Sequence, residues 1–138
     1  MLRLFGAQVA SGVRLHPSVR IAIPWNLHIG AHAGVGDRAI LYNLGRISIG
    51  ASVTISQGAH LCAGSHDHRD PAMPLTKPPI RIGDGAWICA DAFIGPGVSI
   101  GEFAIVAARG VAVRDVPPLT IVAGNPAREV GVREMRSR

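Results

Sequence analysis

The feature that most constrains this chain is the recurrence of a branched aliphatic residue at every sixth position. It runs through Leu15, Ile21 and Leu27, then Ile29, Val35 and Leu41, then Ile49, Ile55 and Leu61, and finally Ile82, Ile88, Ile94, Ile100 and Val106. All fourteen positions are Leu, Ile or Val. Two further columns keep step with them. The residue after the aliphatic is often glycine (Gly30, Gly36, Gly50, Gly83, Gly95, Gly101), and the fourth residue after it is small or Val (Ala33, Ala39, Val53, Ala59, Ala86, Ala92, Val98, Ala104).

An amphipathic helix needs a period of 3.6, and a half-buried strand needs alternation, so neither explains a fixed period of six. Six residues do accommodate a short extended segment and a tight turn, with glycine relieving φ restrictions and a small side chain fitting the corner. Three such segments make a coil of about eighteen residues, and stacked coils pair their backbones while piling the aliphatics into an interior column. The spacing predicts an all-β solenoid, a parallel β-helix of about five coils.

The frame slips by two residues near Leu27 and again between Leu41 and Ile49, which reads as turn adjustment. It breaks after His66. Residues 67–81 hold His68, Arg69, Asp70, Pro71, Pro74, Pro78 and Pro79 and no hexad, so a stiff surface loop should project there. After Val106 the pattern fades through Asp115-Val116-Pro117-Pro118, where paired prolines cannot donate to a further coil. Residues 117–138 are therefore expected as a C-terminal extension, its last ten residues a short helix or a frayed tail.

Composition agrees with a single domain: 138 residues, 48% apolar and 17% charged, are ample for one core. Aromatic content of only 4%, with 17 Gly and 10 Pro, disfavours a helical bundle and calls for a core of small and branched side chains. The net charge of +5 is almost wholly arginine, since Lys77 is the one lysine. Such a surface suits nucleic acid, a membrane or a phosphorylated cofactor, or simply reflects arginine-rich composition. The basic residues are dispersed and lack the interleaved aromatics of a nucleic-acid stacking platform. Cys62 and Cys89 fall within the repeat without metal-ligand spacing and read as packed thiols. No apolar run long enough for a membrane span is visible, and no charged start with a long apolar stretch marks a secretory signal, so a cytoplasmic protein is expected.

The motifs Arg3-Leu4-Phe5-Gly6-Ala7, Pro24-Trp25, Tyr42-Asn43-Leu44-Gly45, Gly64-Ser65-His66-Asp67, Trp87-Ile88, Pro96-Gly97-Val98, Pro117-Pro118 and Gly124-Asn125-Pro126-Ala127 occur in one order along nearly the whole chain. In these the sequence resembles the hexapeptide-repeat acyltransferases of the sugar O-acetyltransferase type, and more closely the colanic-acid-biosynthesis acetyltransferase group. The resemblance implies a left-handed helix, against the usual crossover hand, and a homotrimer with active sites between subunits. It also implies acetyl-CoA as donor, a sugar hydroxyl as acceptor in polysaccharide biosynthesis, and no metal. Relatives in this group carry a longer N-terminal segment, whereas the matching stretch here begins at Met1, which bears on any acceptor contact from that segment.

Moving an acetyl group from a thioester to a hydroxyl needs a base for the hydroxyl proton and donors for the oxyanion that develops. Histidine suits the first task near neutral pH. His66 matches the family's catalytic histidine, at the last hexad position before the loop, where its ring could face a cleft. Direct attack without an acyl-enzyme fits the resemblance. By the same match Ala90 and Ala108 line the pantetheine arm of CoA, Arg114 and Arg128 meet its phosphates, and an oxyanion donor would be a backbone N–H of a neighbouring coil. Trp87 resembles an aromatic beside the cofactor groove and equally suits a trimer contact. Arg133, Arg136 and Arg138 read as solvated arginines. For the acceptor, Asn43, Tyr42, Trp25 and Asn26 offer amides and aromatic faces, and Asp67 and His68 could contact the sugar or orient His66. The galactoside-type enzymes use an acidic residue near Asn43 that is missing here.

Two other functions compete. A γ-class carbonic anhydrase shares this fold and binds zinc through three histidines, for which His28, His32, His60, His66 and His68 are candidates. His32 and His68 are two coils apart in number, but the loop disrupts their register and no third histidine follows at a suitable offset. The other is a non-catalytic solenoid that binds a partner.

Overall fold

The computed structural model describes residues 1–137. The chain winds as a three-sided prism. Face A carries Gln8–Val9, Leu27–Ile29, Ile47–Ile49, Ile80–Ile82 and Ser99–Ile100. Face B carries Arg14–Leu15, Gly34–Val35, Thr54–Ile55, Trp87–Ile88, Ile105–Val106 and Thr120–Ala123; face C carries Arg20–Ile21, Ile40–Tyr42, His60–Cys62, Phe93–Ile94 and Val111–Ala112. Within each face these strands pair in parallel, which gives five full coils and the start of a sixth.

The six-residue columns become vertical stacks. Ile29, Ile49, Ile82 and Ile100 stand in register on face A, Val35, Ile55, Ile88, Val106 and Val122 on face B, and Leu41, Leu61, Ile94 and Ala112 on face C. Twelve of the fourteen repeat aliphatics are buried, and the two half-buried ones, Leu15 and Ile21, lie in the first coil, which has a neighbour on one side only. Each fully buried Leu or Ile is worth roughly 1.5–3 kcal/mol of transfer free energy, so the column supplies most of the driving force. All eight residues of the small column are also buried, at the corners.

The glycine column has a different cause from the one its sequence position implies. None of its six residues has a positive φ. Five of the six are glycine because the next coil's backbone passes too close for a side chain: a Cβ at Gly30 would lie 2.5 Å from the Ala51 nitrogen, and one at Gly83 2.6 Å from the Glu102 nitrogen, while at Gly95 the nearest atom, the Ala112 carbonyl oxygen, is 3.3 Å away. The left-handed conformations fall two residues later. They are taken by His32, Ser52, Gly85, Phe103 and Leu119 at the A–B edge and by Arg38, Gly58, Asp91 and Arg109 at the B–C edge.

Ahead of the C-terminal segment, the breaks in the repeat lie at the third edge, between faces C and A. The first slip is the 3-10 turn Pro24–Asn26, the second is Asn43 to Arg46, and the third is the long excursion. The slips lengthen the strands of face A to three residues and bring a second aliphatic inward at Leu27, Ile47 and Ile80, all fully buried. The excursion itself is a hairpin, in which Ser65–His66 pairs antiparallel with Leu75–Thr76. It rejoins the prism at Ile80, earlier than the expected boundary at residue 81, because Ile80 pairs with Ile47.

The C-terminal segment departs from expectation. Val116 bridges Ile100, and beyond the two prolines Thr120–Ala123 pairs in parallel with the Ile105–Val106 strand, so residues 117–138 begin as one more side of the prism. The prolines sit in the turn, where no ladder donor is needed. The chain then reverses, and Arg128–Val132 forms a strand antiparallel to Thr120–Ala123, so the expected helix or frayed tail is a strand as far as Val132, and residues 133–137 follow without helix or strand. Among the described residues no helix is long and apolar enough to cross a membrane.

Candidate active site

His66 stands on the first strand of the hairpin, outside the aliphatic shaft, and its side chain is exposed. Its Nδ1 is 2.7 Å from the carbonyl oxygen of Met73. A carbonyl only accepts, so Nδ1 carries the proton and donates, and the neutral ring keeps its lone pair on Nε2. Two nested turns set up that acceptor. Asp67 Oδ1 accepts from the Arg69 N–H at 3.1 Å, and Asp70 Oδ1 accepts from the Ala72 N–H at 2.9 Å. The Met73 N–H donates to the Asp70 carbonyl, Met73 adopts φ 50°, and the Asp67 N–H donates to the Pro74 carbonyl across the hairpin. Asp67, expected at the acceptor or at His66, thus spends a carboxylate oxygen on its own turn. His68 is exposed on the same turn and leaves His66 to be oriented by a main-chain oxygen. Nothing in the sequence marks Met73 for this role, because a carbonyl belongs to every residue type.

Beneath the hairpin the C–A edge is stitched by amides. Asn43 is fully buried; its Oδ1 accepts from the Ile23 N–H at 2.8 Å and its Nδ2 donates to the Ile23 carbonyl at 2.6 Å. Expected as an acceptor contact, Asn43 instead satisfies the main chain of the coil below, and both halves of its amide are used. Asn26 Nδ2 donates to the Leu44 carbonyl at 2.9 Å, tying the Pro24–Asn26 turn to the same corner. Tyr42 remains 40% exposed. Its ring lies over Gly64, where a Cβ would come within 3.0 Å of both Tyr42 and Leu44, so glycine two residues before His66 lets the ring reach the foot of the hairpin.

Ala90 and Ala108 sit on the opposite, B–C edge, half-buried and exposed respectively. The Ala90 carbonyl accepts from the Arg109 N–H at 2.9 Å, which stacks the two corners one coil apart. Cys89 beside them is buried, and desolvation pushes its thiol pKa up, as befits a packed thiol. Both cysteines are free. Trp87 lies on face B, 43% exposed, with Nε1 donating to Ser56 Oγ at 2.9 Å. Arg114 and Arg128 come together at the C-terminal end of the prism around a cavity of about 180 Å³, which Asp115 and Glu129 also line. Arg133 is not simply solvated: it donates to the carbonyls of Gly85 at 2.8 Å and Phe103 at 3.2 Å, latching the tail to the A–B edge. Arg136 is exposed, and Arg138 lies outside the described residues.

The histidines considered for zinc are scattered over the prism. His28 lies on face A, His32 at the A–B edge and His60 on face C. Among the described residues no group of three or more His, Cys, Asp or Glu side chains is arranged to hold a metal ion. His60 packs edge-on against Phe93, with centroids 5.3 Å apart, its Nε2 is buried without a partner, and desolvation holds its pKa below the ordinary value.

No protein-family model matches the chain. It is 45% identical over 134 residues to WcaF of Escherichia coli K12, which is named as an acetyltransferase of colanic acid biosynthesis; the match covers 97% of this chain and 72% of that protein. The chain belongs to the hexapeptide-repeat acetyltransferases. Solved members share its form. The hexapeptide-repeat acetyltransferase VCA0836 of Vibrio cholerae superposes with a TM-score of 0.91 at 28% identity, covering 97% of this chain and 78% of that one, and has been solved with acetyl-CoA. A galactoside acetyltransferase in complex with coenzyme A superposes with a TM-score of 0.90 at 25% identity, covering 96% and 68%. This hexapeptide-repeat acetyltransferase is therefore an acyltransferase: its six-residue period calls for the parallel β-solenoid, and its solved neighbours are left-handed β-helix acetyltransferases.

Proposed function

We propose that this acetyltransferase moves an acetyl group from acetyl-CoA to a saccharide hydroxyl in polysaccharide biosynthesis, with His66 as general base and without an acyl-enzyme. The observation that carries the reading is the bond from His66 Nδ1 to the Met73 carbonyl. It leaves Nε2 as a lone-pair acceptor on an exposed edge, the state a base must be in before a hydroxyl arrives. As the hydroxyl oxygen bonds to the thioester carbonyl carbon, its proton passes to Nε2. When the carbon–sulfur bond breaks, that proton is returned to the departing thiolate. The relatives support the donor and the acceptor class: VCA0836 binds acetyl-CoA, and a galactoside acetyltransferase binds coenzyme A.

Edge geometry supports a homotrimer with shared sites. His66 is on the C–A edge, while Ala90 and Ala108 are on the B–C edge. Face C lies between, and a span of five or so extended residues is on the order of 15 Å. A thioester lying along Ala90 and Ala108 meets an imidazole most directly when a second copy supplies it. In this arrangement small corners at Ala90 and Ala108 let pantetheine approach backbone amides, one of which serves the oxyanion. Arg114 and Arg128 pair with CoA phosphates in competition with Asp115 and Glu129, and Trp87 flanks the groove. The reaction belongs in the cytoplasm, the compartment that holds acyl-CoA donors.

The test is thiol release from acetyl-CoA in the presence of saccharides, with light scattering for assembly. His66→Ala should lower saccharide-dependent release by about 10²–10⁴-fold while the melting temperature and oligomeric state stay unchanged. A folded His66→Ala protein with wild-type turnover would overturn the reading.

A further inference from the structure

Three consecutive coils each place a ring on the C–A edge: Trp25 in the first, Tyr42 in the second and His66 in the third. The physical links between them are continuous. Asn26, next to Trp25, is bonded to the carbonyls of Asn43 and Leu44, and Tyr42, next to Asn43, rests on Gly64 at the foot of the His66 hairpin. Trp25 is 63% exposed and Tyr42 40% exposed. Trp87, by contrast, has its indole N–H bonded to Ser56, whereas among the described residues neither the Trp25 N–H nor the Tyr42 hydroxyl is bonded. The backbone under the two rings is pinned by the fully buried Asn43, so they are offered on a rigid support.

Resting on the saccharide reading above, we infer that Trp25 and Tyr42 form an aromatic track for an extended oligosaccharide acceptor, holding the sugar rings next to the one acetylated at His66. Coils repeat at about 4.8 Å, close to the length of one ring in an extended glycan, so each coil can meet one ring. Aromatic faces suit the C–H faces of sugars, while the indole N–H and phenol hydroxyl are free for their hydroxyl groups. The acceptor is then recognised over several rings, and Asn43 acts by building the platform.

The experiment is a chain-length series. Gluco- and galacto-configured saccharides of one to four rings are used with wild type, Trp25→Ala, Trp25→Phe and Tyr42→Ala. Wild-type kcat/KM should rise about tenfold from one ring to three, the scale of one good aromatic contact. Trp25→Ala should remove most of that rise, Trp25→Phe should keep part of it, and Tyr42→Ala should flatten the series from the second ring. Equal kcat/KM for one and three rings in wild type, or a rise that survives both alanine substitutions, would overturn the track. So would a smaller assembly of Trp25→Ala in light scattering, which would make Trp25 a subunit contact. If no saccharide is acetylated at all, the functional reading fails separately. Saturation-transfer NMR between the same saccharides and the Trp25 indole then decides the track, and absence of transfer overturns it.

Discussion

The B–C edge and the C–A edge are built from the same repeat yet do opposite things. At the B–C edge each corner closes in the same few residues, with Arg38, Gly58, Asp91 and Arg109 in the left-handed conformation one above another. It presents backbone. At the C–A edge the corners are enlarged three times, and side chains or main-chain oxygens of neighbouring segments fill the gaps: Asn43 on Ile23, Asn26 on Leu44, Met73 on His66. It presents chemistry. A regular corner has no spare residues to aim a side chain, whereas an enlarged one must be held by explicit hydrogen bonds and can be shaped for a ligand.

The comparison breaks most severely where a regular coil is disturbed. Gly83→Ala drives a Cβ against the Glu102 backbone, which cannot rotate away, and should cost about 3 kcal/mol or abolish folding, read by urea unfolding. At the C–A edge, Asn43→Ala should cost about 2–3 kcal/mol, because it strands the N–H and carbonyl of Ile23. Hydrogen exchange should locate that loss at Ile23 and the Pro24–Asn26 turn and leave the face B strands protected.

Asp70→Ala sharpens the contrast, since it should change activity more than stability. Removing the turn bond to the Ala72 N–H frees the Met73 carbonyl from its aim, and kcat should fall about tenfold with the KM for acetyl-CoA unchanged. Nitrogen-15 NMR of the His66 ring should show the proton shared between Nδ1 and Nε2, in place of Nδ1 alone. Asp70→Asn keeps an acceptor oxygen for the turn and should restore both readouts. Unchanged kcat and tautomer in Asp70→Ala would show that the hairpin aims the carbonyl without this residue.

The smallest effect concerns acid. Desolvation holds His60 below its ordinary pKa, so in the acid range the unfolded chain binds a proton that the folded one resists. Stability from this residue is complete above about pH 7 and is lost as pH falls through about 6.5, the value in the unfolded chain. His60→Leu should therefore make the decline in unfolding midpoint between pH 7.5 and 5.5 shallower than in wild type. An identical slope would assign the acid sensitivity to other groups.

What the sequence determined alone was the solenoid and the place of its interruption. A period of six is local and repeated, so Ile82 to Val106 declare the columns without any knowledge of what they touch, and the clustered prolines after His66 declare the departure. His66 itself was legible only through its motif. Tertiary structure decided the rest. It turned Asn43 from a ligand contact into a stitch, replaced φ by close approach as the reason for the glycine column, carried the chain past Pro117-Pro118 into another strand, and chose the His66 tautomer through the Met73 carbonyl. These outcomes depend on backbone groups of neighbouring coils about twenty residues away, or across the hairpin. Such groups are common to all residue types, and their positions exist only once the coils are stacked.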